Sequence, residues 1–223
     1  MFNGRVYVYG SHDRFNAPIF CVNDYVCWSA PVEDLSEWRY EGVIYRKKQD
    51  PKNPLGYHLL FAPDVCQGPD GRYYLYYAFD FLGIMSVAVC DTPAGEYKFL
   101  GHIHYADGTL WGRRRGDQLP FDPGVLLDDD GRVWLYSGFY NAVPAILTGG
   151  HKLRCDGGTV LELEKDMVTI KTEPRVIFPK KGPGAFQGHE FFEASSIRKE
   201  GKTYIFVYSS RHNHELCYAT SQS

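Results

Sequence analysis

Three features of the sequence predict an all-β chain built from the repeated blades of a β-propeller. Short runs rich in Val, Tyr, Phe and Ile are broken by Gly, Asp and Pro from end to end, and almost no segment has the i, i+3, i+4 spacing of a long amphipathic helix. Four segments repeat one design, a glycine followed by a basic residue and an aromatic-rich run. A carboxylate precedes three of those four glycines at a nearly fixed distance.

The repeat sets the elements in order. Asn3-Gly4-Arg5-Val6-Tyr7 opens the chain, and Asp70-Gly71-Arg72-Tyr73-Tyr74, Asp130-Gly131-Arg132-Val133-Trp134 and Glu200-Gly201-Lys202-Thr203-Tyr204 follow. Asn-Gly and Asp-Gly favour type I′ turns, whose two central residues need positive φ, so each glycine is predicted to turn one strand into the next. The glycines recur about every 60 to 70 residues, a period compatible with a four-stranded propeller blade. In the second unit, Gly83 to Val89 and Tyr97 to Leu100, joined through the Thr92-Pro93-Ala94-Gly95 turn, complete a four-strand meander.

The strand before each hairpin carries the chemistry. Asp64 precedes Gly71, Asp122 precedes Gly131 and Glu193 precedes Gly201. In a propeller this strand is the innermost of its blade, so the three acids are expected to point at the mouth of one central channel. Converging carboxylates repel and lose hydration unless they bind a cation or handle protons, which makes them a candidate site. The alternative is that each acid caps a turn or pairs with an arginine. The same spacing counted back from Gly4 puts a fourth acid before Met1, and strand pattern still runs through Glu215 to Thr220 near the last residue. The expectation is therefore a single partial propeller domain over residues 1–223, about three and a half blades, incomplete at both ends.

Composition excludes several classes. At 223 residues and 44% hydrophobic, the chain can bury a large core, while a formal net charge of -3 gives no electrostatic footprint for nucleic acid or an anionic membrane. The basic run Arg113-Arg114-Arg115 is either a solvated loop or a source of polar ligand contacts. Six scattered cysteines without a C-x-x-C pair read as buried free thiols. No apolar stretch reaches the roughly 20 residues that span a bilayer, and no leader precedes Phe2. The expected location is cytoplasmic, with a leader in a missing N-terminus as the alternative. Oligomeric state is left open.

The motifs in this order resemble glycoside hydrolase family 43, five-bladed propeller enzymes that act on arabinose- and xylose-containing polysaccharides. The resemblance is carried by Gly4 to Asp13, Phe61-Ala62-Pro63-Asp64, Phe121-Asp122-Pro123-Gly124, Phe192-Glu193-Ala194-Ser195-Ser196 and Tyr208-Ser209-Ser210-Arg211. It implies inverting hydrolysis with Glu193 as general acid, Asp122 as the residue that orients it and raises its pKa, and a general base on the first blade's inner strand, where this chain has no residue. It also implies substrate contacts from Phe61, Ala62, Asp64 and Arg211. The resemblance implies a carbohydrate substrate and no required cofactor, and it allows a structural calcium in the complete family fold. Asp64 is also readable as a structural acid bonded to backbone amides or an arginine.

Other residues carry two readings each. Among Trp28, Trp38, Trp111 and Trp134, Trp111 is the candidate for stacking on a sugar, because it sits in an irregular stretch just before Asp122; the remaining rings are expected to fill the packing between blades. His12 and Asp13 either reach the channel mouth or satisfy their own loop. His212, His214 and Glu215 look metal-like, but they need a third ligand from elsewhere, and a solvated loop is the simpler reading. No H-E-x-x-H follows His189-Glu190, and Asp128-Asp129-Asp130 is explained by its hairpin rather than by calcium. Two functions remain: an arabinofuranosidase or xylosidase whose general base lies outside the chain, and an inactive fragment or carbohydrate-binding remnant.

Overall fold

The structure, a computed structural model, describes residues 1–222. Fourteen strands form four antiparallel meanders, equivalent to three and a half four-stranded blades. Blade 1 contains β1 (Arg5–Gly10), β2 (Tyr25–Pro31) and β3 (Arg39–Tyr45). Blade 2 contains β4 (Asp64–Gln67), β5 (Tyr73–Ala78), β6 (Met85–Cys90) and β7 (Lys98–His102). Blade 3 contains β8 (Gly124–Leu127), β9 (Val133–Phe139), β10 (Gly157–Leu163) and β11 (Arg175–Pro179). Blade 4 contains β12 (Phe191–Glu200), β13 (Thr203–Ser210) and β14 (Leu216–Ser221). The only helix among the described residues is one 3-10 turn at Lys47–Gln49, so none is long and apolar enough to cross a membrane.

The repeat glycines do turn strand into strand, although by more than one kind of turn. Asn3 and Gly4 both have positive φ, as a type I′ turn requires. Gly71 and Gly131 instead end longer loops, closed by Gly71 N–H to Gly68 O at 3.0 Å and by Gly131 N–H to Asp128 O at 2.9 Å. There only the glycine is left-handed, which fits a turn followed by one glycine in αL. The first acid of the Asp128 run also fastens two blades: its carboxylate accepts bonds from Lys199 Nζ and Tyr204 OH.

Alternating strand residues fill the spaces between blades, as the aromatic content predicts. Tyr25, Ile44, Leu75 and Tyr77 pack blade 1 on blade 2, while Tyr76, Val87, Leu135 and Leu161 pack blade 2 on blade 3. Phe178, Phe191, Phe206 and Tyr208 join blade 3 to blade 4 through nearly parallel rings, with Phe178 and Phe206 centred 4.5 Å apart. All six cysteines are free thiols. Along the axis, β8 touches both β4 and β12, which places the first strands of blades 2 to 4 innermost.

Candidate active site

Asp122 stands two residues before β8, in a segment tied to its own blade. Ser137 Oγ both accepts from Phe121 N–H and donates to Phe121 O, each at 2.8 Å, and Gly138 N–H donates to the same carbonyl at 2.9 Å. Asp122 itself is left-handed, with φ of +48°, a conformation that costs about 1–3 kcal/mol and is held only where neighbours enforce it.

Glu193 is aimed by a different device. The pairing of β12 with β13 slips on both sides of it, between Phe191 and Glu193 and between Glu193 and Ser196, and Ala194 is left-handed at +62°. Such bulges re-aim a side chain out of the regular alternation. The two segments meet directly. Ala194 N–H donates to Asp122 Oδ2 at 3.0 Å, and a Cβ on Gly124 would lie 2.7 Å from the carbonyl oxygen of Ser195. Glycine at position 124 is therefore what lets the starts of β8 and β12 approach.

Both acids open onto one cavity of about 360 Å³, whose wall is largely phenylalanine. Phe61, Phe81, Phe121 and Phe139 form a continuous ring cluster, with Phe61 set edge-on to Phe121 at 5.7 Å and Phe81 stacked on Phe121 at 5.4 Å. Phe192 extends it at 5.3 Å from Phe139, and Ala62, Phe20, Cys21, Ser11 and His214 complete the lining. An apolar wall with a few converging polar groups is the usual character of a small-ligand site.

Burial, then the charge of Glu193, pushes the Asp122 carboxyl up to about 8, against the lowering effect of the Ala194 N–H. Burial also raises Glu193, while His214, its Nδ1 3.7 Å from Glu193 Oε1, pulls the other way. Desolvation is the leading cause at both carboxyls, and the repulsion between them adds to it.

The remaining sequence candidates divide. Phe61 and Ala62 line the cavity. Asp64 does not: its Oδ2 accepts Val125 N–H at 2.8 Å and its Oδ1 accepts from Arg198 Nη2 at 3.0 Å. Its role as a substrate contact is therefore corrected to the structural reading, an axial clasp from blade 2 to blades 3 and 4. Trp111 is also corrected. It is fully buried between blades 2 and 3, where its backbone N–H donates to Ile103 O at 2.9 Å and folds the irregular stretch back onto the sheets. Arg211 stands one layer outside the cavity, donating to Tyr140 OH at 2.9 Å beside Phe192. Asp13 serves its own loop by accepting Cys21 N–H at 2.6 Å. His214, read from sequence as a solvated loop residue, reaches the cavity and lies edge-on to Phe192 at 4.8 Å. A sequence cue for the wall existed: a phenylalanine stands within three residues before each inner-strand acid, at 61, 121 and 192.

The sequence matches the profile of "Glycosyl hydrolases family 43" over residues 2–223. It is 59% identical over 226 residues to a xylosidase/arabinosidase of Thermoclostridium stercorarium, covering all of this chain but 46% of that protein. Among solved structures it resembles an α-L-arabinofuranosidase of Clostridium thermocellum with a TM-score of 0.69 at 26% identity, covering 100% of this chain and 67% of the other. It also resembles a β-xylosidase/α-arabinofuranosidase from a compost metagenome, solved with xylotriose in a calcium-free form, with a TM-score of 0.72 at 26% identity over 100% of this chain and 72% of the other. The chain thus spans less than half the length of the Thermoclostridium protein.

Proposed function

The chain belongs to glycosyl hydrolases family 43, a family of glycosidases, and from that premise we propose that it carries the acid half of an inverting hydrolase for α-L-arabinofuranosyl or β-D-xylosyl links. The observation that supports this reading is the pair itself. Asp122 and Glu193 come from neighbouring blades, share one phenylalanine-walled cavity and are joined by the Ala194 N–H.

Glycoside hydrolysis with inversion needs a protonated carboxyl at the leaving oxygen and a carboxylate that takes a proton from water on the opposite face, about 6.5–9.5 Å away. Glu193 is the acid in this proposal. Its desolvation favours the protonated form before transfer, and loss of the proton leaves a carboxylate that His214 can stabilise. Asp122, bonded to the backbone immediately after Glu193, stands on the acid's side and serves as its neighbour and orienter. The phenylalanine wall offers a face for a pentose ring and keeps water away from the acid.

Among the described residues the cavity is lined by only these two carboxylates, so the water-activating base is assigned to a residue that is not part of this lining. The one group of three or more His, Cys, Asp or Glu donors among the described residues, His189, Glu215 and Cys217, offers a single carboxylate and does not suit calcium, which takes six to eight oxygen ligands. The test pairs two measurements. Calorimetry should detect pentose or xylotriose binding to this chain, and chromogenic arabinofuranosides and xylosides should be hydrolysed by the longer protein. Glu193→Gln should lower that hydrolysis by at least about 10²-fold, the lower end of general-acid contributions, while binding persists. Full activity in Glu193→Gln would sink the assignment.

A further inference from the structure

The sequence reading of His212, His214 and Glu215 asks for a donor from elsewhere in the chain, and the fold supplies one to a different trio. Glu215 directly precedes β14 and Cys217 is its second residue, so the two side chains leave the same face of an extended segment. His189, from the loop before β12, is carried across to them. Its Nδ1 lies 2.7 Å from Glu215 Oε2, and that oxygen lies 3.6 Å from Cys217 Sγ. One donor atom from each residue falls within 4.8 Å of the other two, and no other such trio of His, Cys, Asp or Glu occurs among the described residues.

Surrounding bonds hold the trio in place. Tyr208 OH donates to the His189 carbonyl at 2.8 Å, Ser210 Oγ donates to Glu215 Oε2 at 3.1 Å, and Ser210 N–H donates to the Glu215 carbonyl at 2.9 Å. The intervening turn is fixed as well, with Asn213 and His214 both left-handed. Supporting bonds of this kind orient ligands in metal sites and are worth about 10–100-fold in affinity.

The donor set selects the ion. Calcium and magnesium take oxygen ligands, whereas one imidazole nitrogen, one carboxylate oxygen and one thiolate sulfur suit a borderline-soft ion that accepts three protein ligands and one water. We propose that His189, Glu215 and Cys217 form a binding site for a zinc-class divalent metal at the turn end of the β13–β14 hairpin, sharing no residue with the carboxylate cavity that neighbouring His214 lines. Loading replaces the His189–Glu215 hydrogen bond with metal bonds: the Cys217 thiol proton goes to solvent, and the His189 Nδ1 proton that Glu215 accepted goes to solvent or, where Nε2 is bare, to Nε2, leaving a neutral ring protonated at Nε2 alone.

The test needs no turnover, so it stands or falls independently of the proposed hydrolase reading. The reduced 223-residue chain is titrated with Zn²⁺ against a chromophoric chelator, and with Co²⁺ while the near-ultraviolet thiolate-to-cobalt band is followed. A single equivalent of micromolar or tighter affinity, with the band present, is expected. Cys217→Ser should abolish the band and weaken zinc at least about 100-fold, more than loss of a supporting bond would, and His189→Ala should weaken it similarly. Cys90→Ser, at the other partly exposed thiol, should leave both readouts unchanged. Circular dichroism verifies that each variant keeps its sheet signal. Absence of zinc binding at micromolar concentration, or equal binding by folded Cys217→Ser and the parent, would overturn the site.

Discussion

Asp122 is buried, so little solvent supports its charge, and it faces Glu193. Its folded-state pKa of about 8 lies far above the ordinary carboxylate value of 3.8, so the folded chain binds a proton that the unfolded chain has released. Stability from this group is complete below the unfolded value and is lost as pH rises through the folded one. Asp122→Asn keeps an acceptor for Ala194 N–H and cannot ionise. It should match the parent near pH 4 and exceed it by a few kcal/mol at pH 8, since one pKa unit corresponds to about 1.4 kcal/mol. Urea unfolding of both chains across pH 4–9 checks this, and a constant difference would refute it. The convergence of Asp122 and Glu193 was legible in the sequence because each stands shortly before a repeat glycine, at a similar though not identical spacing. Trp111 was not, because an irregular stretch has no period from which to read a direction. His214 was hidden for a similar reason, its aim being set by two consecutive left-handed residues that no composition rule anticipates.

At the level of the element, β8 and β12 meet backbone against backbone at Gly124. Gly124→Ala would place a methyl 2.7 Å from Ser195 O, an atom that cannot rotate aside. Forcing β8 from β12 should cost about 1–3 kcal/mol, the usual range for overpacking, and should also lengthen the Ala194–Asp122 bond. A lowered denaturant midpoint together with weaker pentose binding is the expected result; an unchanged midpoint would show that the strands part freely. The four hairpins were readable from Gly and Asn chemistry, although only Asn3-Gly4 forms the turn expected of all of them. The bulges that re-aim Glu193 were not readable, because Phe191 to Glu200 runs as unbroken strand pattern and the extra residues appear only against their partners in β13.

For the molecule as a whole, the repeat made the propeller legible, while the exposed faces emerge only when the blades are set side by side. Val8, Trp28 and Tyr40 are cross-strand neighbours on blade 1, all exposed, with the Trp28 and Tyr40 rings 4.9 Å apart. Leu216 and Tyr218 project together from β14, the edge strand of blade 4, with 81% and 73% of their surfaces open. Contiguous apolar surface beside a strand at the edge of a sheet favours association. Sedimentation velocity should show the 223-residue chain growing in average mass with concentration, and Trp28→Glu combined with Tyr218→Glu should suppress that growth; a monomer at every concentration would contradict it.

The clasp at Asp64 links the site to the order in which the chain acquires structure. Its partners Val125 and Arg198 lie 61 and 134 positions further along the sequence, so the acid stays unsatisfied until distant segments have docked. Pairings of such long range are reached late and slowly, because loop-closure entropy is lost before the contacts repay it. The strand that bears Glu193 arrives with Arg198, and the cavity is therefore assembled in the same closing step that seals the axis.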